Sequence, residues 1–209
     1  MSVRLNGTRA LIHAVVETAM WVSNGATAPL PEVSDILVWA LERSCHQLLG
    51  NKTPAEIEKF FHSPAIEALK ERICEMGRRL WSKDYTDGNG GNITIRVGDN
   101  RALCTPTLVS KGFMKPEDMC LVDFEGNQLA GTKRRTSEIL MHLQIMKRQP
   151  KAVATCHCHP PYSTGFAIAG LVPPTCMIPE YEVFASVAVA PYRTPGTPEM
   201  GKLVADLVD

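Results

Sequence analysis

A mixed α/β sandwich is the fold class this sequence predicts, and three observations predict it. The hydrophobic period changes from helical to strand-like across the glycine-dense loop Asp84–Asn92. A short, apolar, β-prone run stands at Ala152–His157, and helical patterns flank both regions. Length and composition agree: 209 residues, 44% apolar and 21% charged, describe one large globular domain that buries a core without staples.

Residues 5–22 are apolar and compatible with a helix that Asn24-Gly25 stops. Pro29-Leu30-Pro31 is a rigid connector, and a second helix fits about Glu32 to Leu49, ahead of Gly50-Asn51. Thr53-Pro54-Ala55-Glu56 has the form of a capping box with proline at the first helical position. Nothing before residue 62 suggests chemistry. Residues 1–62 therefore read as a helical N-terminal extension for packing or subunit contacts, and 63–209 as the main domain.

Ser63-Pro64 starts the next helix, with Ile66, Leu69, Ile73, Met76 and Leu80 at spacings of three and four. After the glycine-dense loop, Ile93-Thr94-Ile95-Arg96-Val97 alternates, and Gly98-Asp99-Asn100 reads as a hairpin turn. Arg101–Thr105 is the returning strand and Met119–Phe124 another, with a turn at Glu125-Gly126-Asn127. Thr136-Ser137 begins a helix carrying Ile139, Leu140, Leu143 and Met146. A buried strand over 152–157, a helix from about Tyr162 to Ala169, a strand near 187–190 and a helix from Met200 to Leu207 complete the pattern.

Lys plus Arg equals Asp plus Glu at 22 each, which removes any broad electrostatic case for nucleic acid or an anionic membrane surface. No run approaches the roughly 18 apolar residues a bilayer span needs. Arg4 and Arg9 before Leu11–Val22 imitate a secretory signal, but His13 and Glu17 interrupt it and no clean cleavage site follows. The seven cysteines form no CxxC pair, and most sit among apolar neighbours. That is the pattern of reduced core thiols, so the expected location is cytoplasmic.

Three tracts could carry chemistry. In Cys156-His157-Cys158-His159, strand alternation points His157 and His159 one way and the cysteines the other. Two convergent imidazoles are half of a zinc-type site, whereas four neighbouring strand side chains cannot share one tetrahedral ion. The competing reading is two satisfied histidines at a strand–loop junction. In Lys133-Arg134-Arg135-Thr136-Ser137-Glu138, hydroxyls and free backbone N–H groups at a helix start, behind three cations, suit an anion such as phosphate. The plain alternative is a helix cap with solvated cations. Glu138 beside such a pocket suits a general base. His142, four residues on, shares its face and reads as a helix-surface partner. Gly90-Gly91-Asn92 allows close approach of backbone to a ligand, though by itself it signals a turn.

These tracts recur in a familiar order: Gly91-Asn92-Ile93-Thr94-Ile95-Arg96, Cys104-Thr105-Pro106-Thr107, Thr136-Ser137-Glu138 with His142, His157-Cys158-His159-Pro160-Pro161-Tyr162, then Ala190-Pro191-Tyr192 and Pro195-Gly196-Thr197. From about residue 64 to the end the chain resembles the class II aldolase/adducin family. The resemblance implies a three-layer α/β/α sandwich with a mostly antiparallel central sheet, assembled as a homotetramer with sites at subunit interfaces. It implies that His157 and His159 are two of three histidine ligands to Zn²⁺ or another divalent ion, and that Glu138 is the acid/base carboxylate. It places Asn92, Thr107, Thr136 and Ser137 on the substrate phosphate.

Two departures qualify the match. Leu108 stands where the family has a glycine, with Ser110-Lys111-Gly112 following like a displaced version, so the phosphate pocket is altered. The family's third histidine lies beyond the last helix, and no histidine follows His159. The expectation is a form shortened at its C-terminus, metal-poor and inactive alone. The implied function is a metal-dependent aldolase-type lyase acting on a small hydroxylated ketose, phosphorylated or not, through an enediolate. An epimerase, dehydratase or decarboxylase of the same family, or a non-catalytic adducin-like module, is the alternative.

Overall fold

The structure, a computed structural model, describes residues 53–174, 179 and 187–208. The helices expected at 5–22 and 32–49, and with them most of the proposed extension, lie outside the described residues.

Helix α1 (Pro54–Phe61) starts as its sequence dictates: Thr53 caps Glu56, and the Glu56 carboxylate returns to the Thr53 N–H at 2.8 Å. Helix α2 (Pro64–Ser82) follows, burying Ile66, Leu69 and Ile73. Strands β1 (Asn92–Arg96), β2 (Arg101–Cys104), β3 (Cys120–Asp123) and β4 (Gln128–Ala130) then form a meander. Helix α3 (Ile139–Arg148), strand β5 (Ala154–His157), helix α4 (Pro161–Ala169) and helix α5 (Pro198–Ala205) complete the described chain.

All strand pairs are antiparallel, in the order β4-β3-β2-β1-β5. Register divides the side chains between two faces. One row crosses all five strands as Ala154, Ile95, Leu103, Leu121 and Ala130. With Ile93 and Cys156 it packs under α1 and α2. The opposite row runs Thr155, Thr94, Cys104 and Cys120, and here Cys104, Cys120, Ala102 and Val122 pack against Ile139, Leu143 and Met146 of α3. The far side of α3 meets α5 through Met141, Ile145, Met200 and Val204. These are the three layers that the resemblance implied.

Two local expectations are corrected. Residues 187–190 form no strand; Ala190 is buried against α3 and α5, and Pro191 after it has no N–H to give to a ladder. Helix α3 begins at Ile139, not at Thr136. Arg135 is bridged to Pro106, and the Thr136 N–H donates to Thr105 O, which keeps that stretch extended before the helix can start. The five described cysteines are free and buried. No helix among the described residues is long and apolar enough to cross a membrane.

Candidate functional site

Sheet register builds the centre of the site. Asn92, the first residue of β1, lies directly opposite His157, the last of β5, so both project from the α3 face at one end of the sheet. Glu138 reaches them from the residue preceding α3. Its Oε2 accepts from Asn92 Nδ2 at 2.8 Å and from His157 Nδ1 at 2.8 Å. His159, two residues beyond His157, keeps the same direction past the strand end, and the ring centroids are 4.9 Å apart.

The 84–92 loop closes over this pair. Tyr85 O accepts from the His159 N–H at 2.6 Å, and Asp87 Oδ1 accepts from His159 Nδ1 at 3.2 Å. Two glycines permit that closeness. A Cβ on Gly90 would stand 2.1 Å from Asp87 Oδ1 and 3.0 Å from His159 Cε1. Gly91 has φ +73°, and a Cβ there would stand 2.7 Å from His157 O. The backbone approach foreseen for a ligand is made to the histidines themselves.

Because a carboxylate only accepts, Nδ1 carries the proton in both rings and Nε2 is left with its lone pair. Both Nε2 atoms are buried and without a hydrogen-bond partner. Two neighbouring imidazoles, each oriented by a carboxylate and each with a bare Nε2, fit half of a divalent-metal centre by the chemistry of their donors. Among the described residues no group of three or more His, Cys, Asp or Glu is gathered for an ion. Burial lowers the pKa of His159, which favours the neutral ring that a metal requires. For Glu138 burial acts upward, but the hydrogen bonds donated by His157 and Asn92 outweigh it and bring the carboxyl down to about 2.

An open cleft of about 190 Å³ leads to these groups, lined by Asn92, Thr107, Thr136, Ser137, Glu138, His157 and His159 with the Asn89–Gly91 loop, Pro106 and Leu108. All seven residues singled out in the sequence thus meet in one place. Pockets for drug-sized ligands enclose roughly 300–1,000 Å³, so this open cleft is small by comparison. Among the described residues its lining holds no lysine or arginine. Two of the three cations ahead of Thr136 turn elsewhere: Lys133 pairs with Asp118 at 3.3 Å, and Arg135 donates to Gly126 O and Thr136 O. An anion here would meet hydroxyls and backbone N–H groups. Leu108 is 78% exposed at the rim with φ +58°, a left-handed conformation that glycine adopts more cheaply.

Sequence reasoning missed three contributors. His142 is not on the helix surface but fully buried, with Nε2 on Asn92 Oδ1 and Nδ1 2.6 Å from Thr155 Oγ1. Its i+4 spacing from Glu138 was the available signal. Thr155, of the same strand parity as His157, and Asp87 are the others.

Comparison with known proteins agrees with this architecture. Residues 71–209 match the Class II Aldolase and Adducin N-terminal domain. The chain is 33% identical over 140 residues to the 3-oxo-tetronate 4-phosphate decarboxylase of Haemophilus influenzae, covering 65% of this chain and 66% of that protein. It is 34% identical over 142 residues to the L-fuculose phosphate aldolase of Methanococcus maripaludis, covering 66% and 73%. It thus spans about two thirds of the length of the first of these relatives. A solved L-fuculose 1-phosphate aldolase superposes with a TM-score of 0.59 at 26% identity, over 66% of each chain. The fold, the motif order and the match over most of the described residues carry one conclusion: this chain belongs to the class II aldolase and adducin family.

Proposed function

We propose that this chain is the catalytic core of a metal-dependent lyase that acts on a small phosphorylated keto sugar and breaks a carbon–carbon bond beside its carbonyl through an enediolate. The observation that carries the reading is the pair of bare Nε2 atoms on His157 and His159 beside an ionised Glu138 in one cleft. His157 and His159 would hold the divalent ion, and zinc suits their nitrogen donors. Such an ion, when bound, supplies Lewis-acid stabilisation of enediolate charge. Glu138 accepts the substrate proton at its carboxylate and returns it. Its low pKa makes it a weak base while both His157 and Asn92 donate to it, and a substrate that displaces either donor strengthens it. Thr107, Thr136 and Ser137, with the N-terminal dipole of α3, hold the phosphate, while Asn92 keeps a second N–H for a substrate oxygen.

Aldol cleavage and decarboxylation of a keto acid both leave an enediolate or enolate, which is why relatives named for each can share one site. The same reading makes the protein a cytoplasmic homotetramer. Buried free thiols support the compartment. Exposed Tyr162, Phe166 and Ile168 on α4, with Leu171 just after it, support a covered surface.

The test is incubation of the zinc-loaded protein with L-fuculose 1-phosphate and with 3-oxo-tetronate 4-phosphate, following carbonyl fragments and carbon dioxide. Against the inactivity expected from two histidines without a third, the paired bare Nε2 atoms lead us to expect turnover of one of them, reduced about 100-fold or more by Glu138→Gln. A protein that carries stoichiometric zinc and converts neither compound would sink the reading.

A further inference from the structure

The carboxylate at the centre of the cleft stands at the end of a buried chain of hydrogen bonds whose direction is chemically forced. A carboxylate only accepts, so the Asn92 amide must turn Nδ2 toward Glu138 Oε2, as it does at 2.8 Å. Oδ1 of the same amide then faces His142 Nε2. A carbonyl oxygen also only accepts, so Nε2 of His142 carries the proton. The neutral ring has one nitrogen left, Nδ1, and it takes the Thr155 hydroxyl proton at 2.6 Å. Every donor along Thr155, His142 and Asn92 therefore points toward Glu138, and the His157 Nδ1–H arrives from the other side.

His142 is the member of this chain whose sequence position demands least. It is 0% exposed on α3, surrounded on the helix by the core residues Ile139, Met141, Leu143 and Ile145, where an aliphatic side chain would be the cheaper occupant. Burial depresses its pKa to about 3, in keeping with a neutral ring. Without a donor at its Nε2, the Asn92 Oδ1 is left without its buried partner and the amide is held from the Glu138 side alone.

We propose that His142 is a positioning residue of the site: as the Nε2–H tautomer it locks the Asn92 amide and thereby fixes where Glu138 meets His157. This rests on the reading of Glu138 and His157 given under Proposed function. A histidine that merely fills space would be indifferent to which nitrogen is protonated and would be replaced without loss by leucine.

The experiment compares wild type, His142→Gln and His142→Leu. Glutamine can both donate to Asn92 Oδ1 and accept from Thr155, whereas leucine can do neither. Nitrogen-15 NMR of the histidine rings assigns the His142 tautomer by its absence from the variants. Calorimetry with Zn²⁺ alone gives metal affinity, and thermal melts confirm folding. We expect Nε2–H in the wild type, zinc affinity within about threefold of wild type for the glutamine variant, and a loss of roughly tenfold or more for the leucine variant although it still melts cooperatively. An Nδ1–H tautomer would overturn the proposal, and so would a folded leucine variant that binds zinc like the wild type. If leucine prevents folding, the wild-type tautomer and the glutamine variant still decide. A wild type that binds no zinc would count against the metal reading of the cleft, while the tautomer would continue to judge the positioning role on its own.

Discussion

Strands β1 and β5 present two faces built on the same two-residue period and opposite chemistry. Toward α2 they show Ile93, Ile95, Ala154 and Cys156, continuous with Leu103 and Leu121. Toward α3 the alternate positions are Asn92, Thr94, Thr155 and His157, each at most 6% exposed. Burial on the first face is its own reward, at about 25 cal/mol per Å² of apolar surface. On the second, burial costs free energy at each polar atom until a partner is found. The difference is instructive about where function sits. The apolar face specifies the fold and tolerates little loss of volume. The polar face is stabilised by one connected network, and it ends in two nitrogen atoms that the protein itself leaves without partners.

The largest expected effect breaks the apolar face. Leu103 is fully buried at the middle of the five-strand row. Leu103→Ala should lower unfolding free energy by about 3 kcal/mol, within the range for buried leucines, and leave the His142 tautomer unchanged. Urea denaturation measures the first and NMR the second. A loss below about 1 kcal/mol would mean that this row is not the stabilising face.

Legibility in the sequence follows the same division. The period-2 run from Ile93 to Val97, the i, i+3, i+4 pattern of α2 and the capping box at Thr53 each encode their element within a few residues, and each forms where its pattern lies. Convergence of the seven cleft residues was legible through resemblance and through strand parity at His157 and His159. What could not be read was partnership at a distance. That Arg135 would spend its guanidinium on Gly126 O and Thr136 O depends on how the β3–β4 turn returns to the start of α3. That His142 would face inward depends on a strand fifty residues away in sequence at Asn92, brought beside it by the sheet.

The apolar side buries two lysines, Lys70 and Lys111, and pH exposes the second. Lys111, 1% exposed in the turn packed against α2, donates to Asn89 O at 3.2 Å and Val109 O at 2.7 Å, with no carboxylate on its ammonium among the described residues. Desolvation lowers its pKa from 10.5 to about 8. The unfolded chain therefore binds this proton more tightly than the folded one. The resulting penalty is complete below about pH 8 and fades as pH rises toward 10.5. The wild type should gain on the order of 3 kcal/mol across that window relative to Lys111→Met, read from urea midpoints at a series of pH values. Parallel pH profiles for the two proteins would rule the buried charge out.

The smallest effect is the sharpest probe of the polar face, because it asks two neighbours for opposite signs. Thr94 and Thr155 are directly paired across β1 and β5, and both are buried. The Thr155 hydroxyl serves His142 Nδ1, whereas the Thr94 hydroxyl has no partner. Valine has nearly the same shape and no hydroxyl. Thr155→Val strands a buried imidazole nitrogen and should cost about 1–2 kcal/mol; Thr94→Val removes an unsatisfied group and should gain up to about 1 kcal/mol. Because the two residues touch, the double variant must be measured as well, and a coupling near zero would show that Thr94 stands outside the network. Equal losses at both positions would mean that the threonines act by packing alone, and the polar face would then be held together by fewer hydrogen bonds than its geometry implies.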